Sequence, residues 1–134
     1  MIIADTNLVA YLLIASEHTR VARAVRARDS QWRLPTLWRS EFLNVLATSV
    51  KARVLTFEQA EEVWHVAHII FGRNEVDTTG VAVLKTAHSR NLSAYDAQFV
   101  VAALKLSVPL VTSDRRLLKA CPDIAVSPAQ FAGE

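Results

Sequence analysis

Short apolar runs alternate with helical stripes along this chain. "MIIA" at residues 1–4 is a continuous apolar run and predicts a short buried strand. Leu8, Tyr11, Leu12 and Ala15 then recur at helical spacing and predict a helix from Leu8 to Ala15. "EHTRVARAVRARD" sets Val21 and Val25 on one face and arginines around the rest, the pattern of an amphipathic helix with a basic exterior. "QWRLP" predicts a strand ended by Pro35, after which Thr36 is placed to cap a helix running to about Ala52. "VLTFEQAEEVWHVAHIIFG" carries Thr56 as a cap, acids near its start and Gly72 as a stop, so it predicts a long helix. "EVD" at 75–77 is too short to assign. "TTGVAVLKTAHSRN" predicts another helix, and "LSAYDAQFVVAALKL" a further one capped by Ser93. "VPLVTSD" predicts a β-branched strand, "RRLLKAC" a helical turn or two, "DIAVS" a last strand and "PAQFAGE" a terminal turn.

Strands alternating with helices imply an α/β fold with a central, mainly parallel sheet of about four to five strands flanked by helices. The 134 residues fit one domain, 1–134, with a single core. A parallel sheet also has a functional polarity, because ligands bind outside the carboxyl ends of its strands. Asp5 ends the first strand and Asp114 ends "VPLVTSD", so both are expected at the same edge.

Composition narrows the partners only slightly. Half the residues are hydrophobic (51%) and 21% are charged, which argues against disorder. Apolar stretches such as "FVVAAL" fall far short of the roughly 20 residues of a bilayer span, so no membrane association is expected. No basic segment precedes the opening run, so no secretory leader is predicted. The lone Cys121 fits a reducing cytoplasm and leaves no cysteine-rich zinc site. A net charge of +2 permits a nucleic-acid partner without requiring one. Trp32, Trp38 and Trp64 exceed what a small core needs, which suggests that some of them serve an interface.

The acids carry the candidate chemistry, and each has a structural explanation beside the chemical one. Asp5 is a favoured helix cap, although Thr6 or Asn7 could take that role and leave its carboxylate free. Asp114 has the same two readings, with Thr112 and Ser113 as competing caps. "SAYD" has the form of a capping box, which would account for Asp96 without chemistry. Glu41 lies between Leu37 and Val45 at helical spacing, with Asn44 one turn on. An acid beside a buried stripe is unfavourable unless paired, protonated or metal-bound, although a solvated helix flank is also compatible. Glu58, Glu61 and Glu62 read as first-turn surface acids. The four histidines show no metal-ligand spacing, and no phosphate loop or GxSxG elbow is present.

Together these segments resemble the PIN domain family, and within it the VapC-type toxin ribonucleases. "IIADTN" is similar to the family's opening Asp-x-Asn motif, "SEFLNVL" to its helical Glu segment, "LSAYDAQFVVAAL" to its third acidic motif and "VPLVTSDRRLL" to its terminal Thr-x-Asp motif. The four occur in family order from Ile2 to about Leu118. Some relatives carry a further acid after the last motif, whereas Arg115, Arg116, Leu117 and Leu118 follow Asp114 here.

The resemblance implies an endoribonuclease dependent on Mg²⁺ or Mn²⁺, with RNA as substrate. Four converging carboxylates repel one another, and a hard cation that prefers oxygen ligands resolves this. Asp5 and Asp96 are then the main ligands, Asp114 a ligand directly or through water, and Glu41 the residue that positions or deprotonates the attacking water or completes the metal's ligands. Asn7 and Thr112 would orient them by hydrogen bonds. Arg115 and Arg116 are candidates for substrate phosphate, with Lys85 and the arginines from Arg20 to Arg28 as an extended track. The family also implies a homodimer, inhibited by a cognate antitoxin protein. The main alternative is a catalytically silent PIN-like module that binds RNA or protein. A receiver-like signalling domain fits less well, because only Asp5 follows the first strand where paired acids are required.

Overall fold

In β1 (Ile2–Ala4), Ile2 and Ala4 pack on one side of the sheet and Ile3 on the other, the two-residue alternation of a strand covered on both faces. The computed structural model describes all 134 residues. Five strands form one sheet in the order β3-β2-β1-β4-β5, and every neighbouring pair is parallel. The other four are β2 (Trp32–Pro35), β3 (Glu75–Val76), β4 (Leu110–Val111) and β5 (Ala125–Val126). The expected α/β class is therefore observed, and "EVD", too short to assign from sequence, supplies one edge strand.

Eight helices join and cover the strands: α1 (Thr6–Leu13), α2 (Thr19–Arg28), α3 (Trp38–Lys51), α4 (Phe57–Phe71), α5 (Gly80–Arg90), α6 (Ala94–Leu106), α7 (Arg115–Ala120) and α8 (Pro128–Ala132). One core lies under α1 to α4 and includes Leu8, Val25, Trp32, Leu34, Trp38, Phe42 and Phe71. A second lies under α6 and α7 around Ile3, Phe99, Val100, Leu110 and Leu117. No helix is long and apolar enough to cross a membrane.

Local chemistry explains most of the helix starts. Thr56 and Gln59 form a full capping box at α4, and Thr79 caps α5 through the Ala82 N–H. Thr36 does not cap α3. Pro35 ends β2, the chain turns through Thr36 and Leu37, and Leu37 takes the cap position with no side-chain hydrogen bond. The helix start is secured instead by burial of Trp38. "PAQFAGE" forms a short helix rather than a turn, because Ser127 and Gln130 make a second capping box that brackets Pro128 at the first helical position.

Trp32 and Trp38 are completely buried, which removes them as interface residues. Trp32 stacks on Phe71, and Trp38 packs against Phe42, Trp64 and Phe71. The basic face of α2 is also largely engaged. Arg20 pairs with Glu134, Arg28 donates to the Phe131 carbonyl, and the Arg26 guanidinium lies over the Trp32 and Phe71 rings.

The strand order places a topological switch beside β1. The chain runs outward through β2 and β3, then returns to the other side of β1 for β4 and β5. Such a reversal opens a crevice at the carboxyl ends of the two strands that flank it. Here those ends lead to Asp5 and to Thr112–Asp114.

Candidate functional site

A hollow of about 240 Å³ lies at this edge, lined by Asp5, Asn7, Glu41, Asn44, Asp96 and Asp114 among others. Four elements supply the acids. Asp5 follows β1, Glu41 stands in the first turn of α3, Asp96 in the first turn of α6, and Asp114 precedes α7. All four acids singled out in the sequence thus share one wall system, although 109 positions separate Asp5 from Asp114.

Asp5 holds the most constrained position. It is buried, and its Oδ1 accepts a hydrogen bond from the Leu8 N–H at 2.8 Å, which starts α1. Its Oδ2 accepts from the Thr112 hydroxyl at 2.6 Å. Asp5 itself is therefore the cap, and neither Thr6 nor Asn7 replaces it. Thr112 is fully buried, and its Oγ1 also accepts from the Asp114 N–H at 3.0 Å. One hydroxyl thereby fixes both carboxylate positions flanking the switch.

Asp114 likewise caps its helix. Its Oδ1 accepts from the Arg116 and Leu117 N–H groups at 2.8 and 3.3 Å. Neither Thr112 nor Ser113 takes that role. Asp96 behaves differently. The Ser93 hydroxyl accepts from the Asp96 N–H at 3.1 Å, but the reciprocal bond from the Asp96 carboxylate to the Ser93 backbone is not formed. The predicted capping box is only half made, and the carboxylate lines the hollow instead. Glu41 is half-buried, and its Oε1 accepts from the Thr6 hydroxyl at 2.7 Å. Thr6, considered from sequence only as a cap, is thus a buried positioning partner of Glu41. Thr6 directly follows Asp5, and it is the tertiary fold, not any local pattern, that brings it to Glu41 on α3.

Burial dominates the electrostatics. Desolvation pushes the Asp5 carboxyl up to about 6, against the lowering effect of its hydrogen bonds from Thr112, Leu8 and Ser113. The neighbouring Asp114 charge pushes it the same way. Desolvation also raises Glu41, with the Asp96 charge adding to it, and raises Asp96, with the Asp114 charge adding to it. The acids therefore sense one another as like charges across the hollow.

These shifts have a defined consequence for the metal-free protein. A carboxyl whose folded pKa lies above its unfolded value binds protons more tightly when folded, so stability falls as pH rises between the two. For Asp5 the window runs from about 4 to about 6, with Glu41 and Asp96 acting in the same direction. Asp5 alone should make the metal-free protein about 1 kcal/mol more stable at pH 5 than at pH 7. Urea unfolding at the two pH values measures the difference. Equal or lower stability at pH 5 would contradict the burial of these charges.

The donor set suits a hard divalent cation: four carboxylates, no sulfur or imidazole, and like-charge repulsion for a cation to relieve. No three of the side chains stand as a ready-made coordination shell. Asp5 and Asp114 are partly committed to helix caps, so a cation here would rely on the remaining oxygens and on retained water, as Mg²⁺ commonly does. The cations expected around the site are placed unevenly. Arg115 and Arg116 are exposed and neither lines the acidic hollow. Lys85 is exposed on α5, and no arginine of α2 reaches the hollow.

An all-parallel α/β sheet with an acidic hollow at its topological switch defines a class of small catalytic and binding domains. The sequence profile described as "PIN domain" matches residues 2–121, and the chain belongs to the PIN domain family. PIN domains are in general nucleases. No curated protein sequence matches the chain. Among solved structures, PAE2754 from Pyrobaculum aerophilum superposes with a TM-score of 0.75 at 19% identity, covering 99% of this chain and 90% of that one. FitAcB from Neisseria gonorrhoeae superposes with a TM-score of 0.68 at 16% identity, covering 96% and 98%. At these identities the likeness establishes the shared fold.

Proposed function

We propose that this chain is an endoribonuclease dependent on Mg²⁺ or Mn²⁺, the toxin of a VapBC-type pair held in check by a cognate antitoxin protein. The observation that carries this reading is the meeting of Asp5, Glu41, Asp96 and Asp114 in one hollow at the switch of a PIN fold. The order of the four motifs along the chain supports the toxin assignment, and with it a homodimer acting in the cytoplasm.

Asp5 and Asp96 would hold the cation, with Asp114 joining directly or through water. Bound there, the cation would polarise the phosphodiester and lower the pKa of water. Glu41 is suited to take a proton from the attacking water, because burial and the Asp96 charge already raise its affinity for one. Thr6 aims Glu41 and Thr112 aims Asp5, so neither acid needs to reorganise when substrate enters. Asn7 and Asn44 line the hollow and offer amide donors to phosphate oxygens. The use of two acids as helix caps favours one rival, a silent PIN-like module that binds RNA or protein.

Incubating the purified protein with a mixed RNA pool separates the two. RNA should be cut in Mn²⁺ or Mg²⁺ and left intact in excess EDTA, and Asp96→Asn should abolish cutting. Intact RNA under every metal condition would establish the silent module, and EDTA-resistant cutting would remove the metal-dependent mechanism.

A further inference from the structure

A second hollow adjoins the acidic one. It measures about 410 Å³ and is lined by Arg90, Asn91, Ser93, Asp96, Arg116 and Lys119, among others. Asp96 belongs to both hollows, so the two lie side by side with that residue as the common wall. Arg116 and Lys119 are three apart on α7 and therefore present their side chains on one face of it.

The charges here are not equivalent. Arg90 is tied to Asp123 through two hydrogen bonds of 2.9 and 3.1 Å, so its charge is largely matched and its role is to build the wall. Arg116 and Lys119 are exposed and take part in no ion pair with this chain. Arg116 is near enough to Asp96 to oppose the rise in that carboxyl's pKa. Asn91 and Ser93 are exposed on the same rim. The Ser93 hydroxyl accepts from the Asp96 N–H, which leaves its own proton free to donate. Two unmatched cations with amide and hydroxyl donors form the donor set that contacts nucleic-acid phosphates.

We propose that this hollow is a subsite for the RNA phosphate next to the one being cleaved, with Arg116 and Lys119 as its cations. The proposal rests on the nuclease reading of the acidic hollow. A strand whose phosphate enters beside Asp96 carries its neighbouring phosphate across that shared wall toward α7. Asp96 repels an anion on its own side, so the bound phosphate sits against Arg116 and Lys119. Both cations act on the backbone, which makes the subsite blind to base sequence. Arg115 lines neither hollow and is not included in the subsite.

The test measures single-stranded RNA binding in EDTA by fluorescence anisotropy, and cleavage in Mn²⁺, for the full-length protein. The Arg116→Gln/Lys119→Gln variant is compared with Arg73→Gln, an exposed charge change in the turn after α4. The double variant should weaken RNA binding about 10-fold and reduce the slope of log Kd against log[salt] by about 1 per cation lost, whereas Arg73→Gln should change neither. In cleavage it should raise KM by a similar factor with kcat within about two-fold, the signature of lost binding that is uniform between ground and transition states. Arg116→Lys should keep most of the affinity, and unchanged melting curves would show that folding is intact. Binding and KM equal to those of Arg73→Gln would overturn the subsite. So would wild-type protein that binds no RNA, or loss of poly-glutamate binding with RNA binding unchanged, which would assign the hollow to an acidic protein partner. RNA binding that depends on both cations without any cleavage would keep the subsite and sink the nuclease reading. Cleavage indifferent to both cations would do the reverse.

Discussion

Asp5→Asn should reduce metal-dependent RNA cleavage by roughly 10²–10³-fold or more, the scale seen when one group that stabilises developing charge is removed. The same change should leave the metal-free protein at least as stable as wild type at pH 7. Asp5 is buried, and its raised pKa means that ionising it works against the fold. An amide of the same shape removes that charge. Asparagine is also a good helix cap, so the Leu8 N–H keeps an acceptor. Thr112 must then rotate its hydroxyl to accept rather than donate, which limits the gain to about 1–3 kcal/mol at most. Cleavage assays and thermal melts in EDTA read the two effects separately. Lost cleavage with a lowered melting temperature would mean that Asp5 is mainly structural. Undiminished cleavage would remove it from the chemistry altogether.

The largest stability effect should come from Trp38→Ala. Trp38 is completely buried at the start of α3, packs against Phe42, Trp64 and Phe71, and donates its Nε1–H to Glu75 at 3.2 Å. Glu75 keeps its two hydrogen bonds from Arg39, at 2.9 and 2.6 Å, so the polar group left behind stays satisfied. The loss is then mostly packing, about 3–5 kcal/mol for an aromatic-to-alanine change in a core. For a chain of this size that corresponds to a fall in Tm of more than about 10 °C. It should also loosen the first turn of α3, where Glu41 stands. A fall of less than about 3 °C would show that Trp38 is not the anchor of this helix.

The sequence made the fold class legible because its signals are local. Apolar runs, the Thr56 and Ser93 caps and the alternation of elements all act within a few residues. The four acids were legible for the same reason, since each sits in a short motif at a strand end or a helix start. Their partners were not. Thr6 reaches Glu41 across 35 positions and Thr112 reaches Asp5 across 107, contacts that only the sheet order creates. The misplaced cap at Thr36 has a related cause: burial of Trp38, a tertiary effect, sets that boundary rather than capping chemistry. The tryptophans read as surplus for the same reason, because nothing local reveals that Trp32, Trp38 and Trp64 join Phe42 and Phe71 in one aromatic cluster. Lys119 carried no signal at all, being one basic residue on a short helix until the neighbouring hollow gives it a context.

The dual use of Asp5 and Asp114 bears on how such a domain can lose its activity over evolution. Each begins a helix as well as bordering the hollow, so selection for folding alone would preserve an acid or its amide there after catalysis had gone. Glu41 and Asp96 have no such second duty for their carboxylates. A decaying lineage would shed those two first, and their retention is the better molecular fossil of a working enzyme.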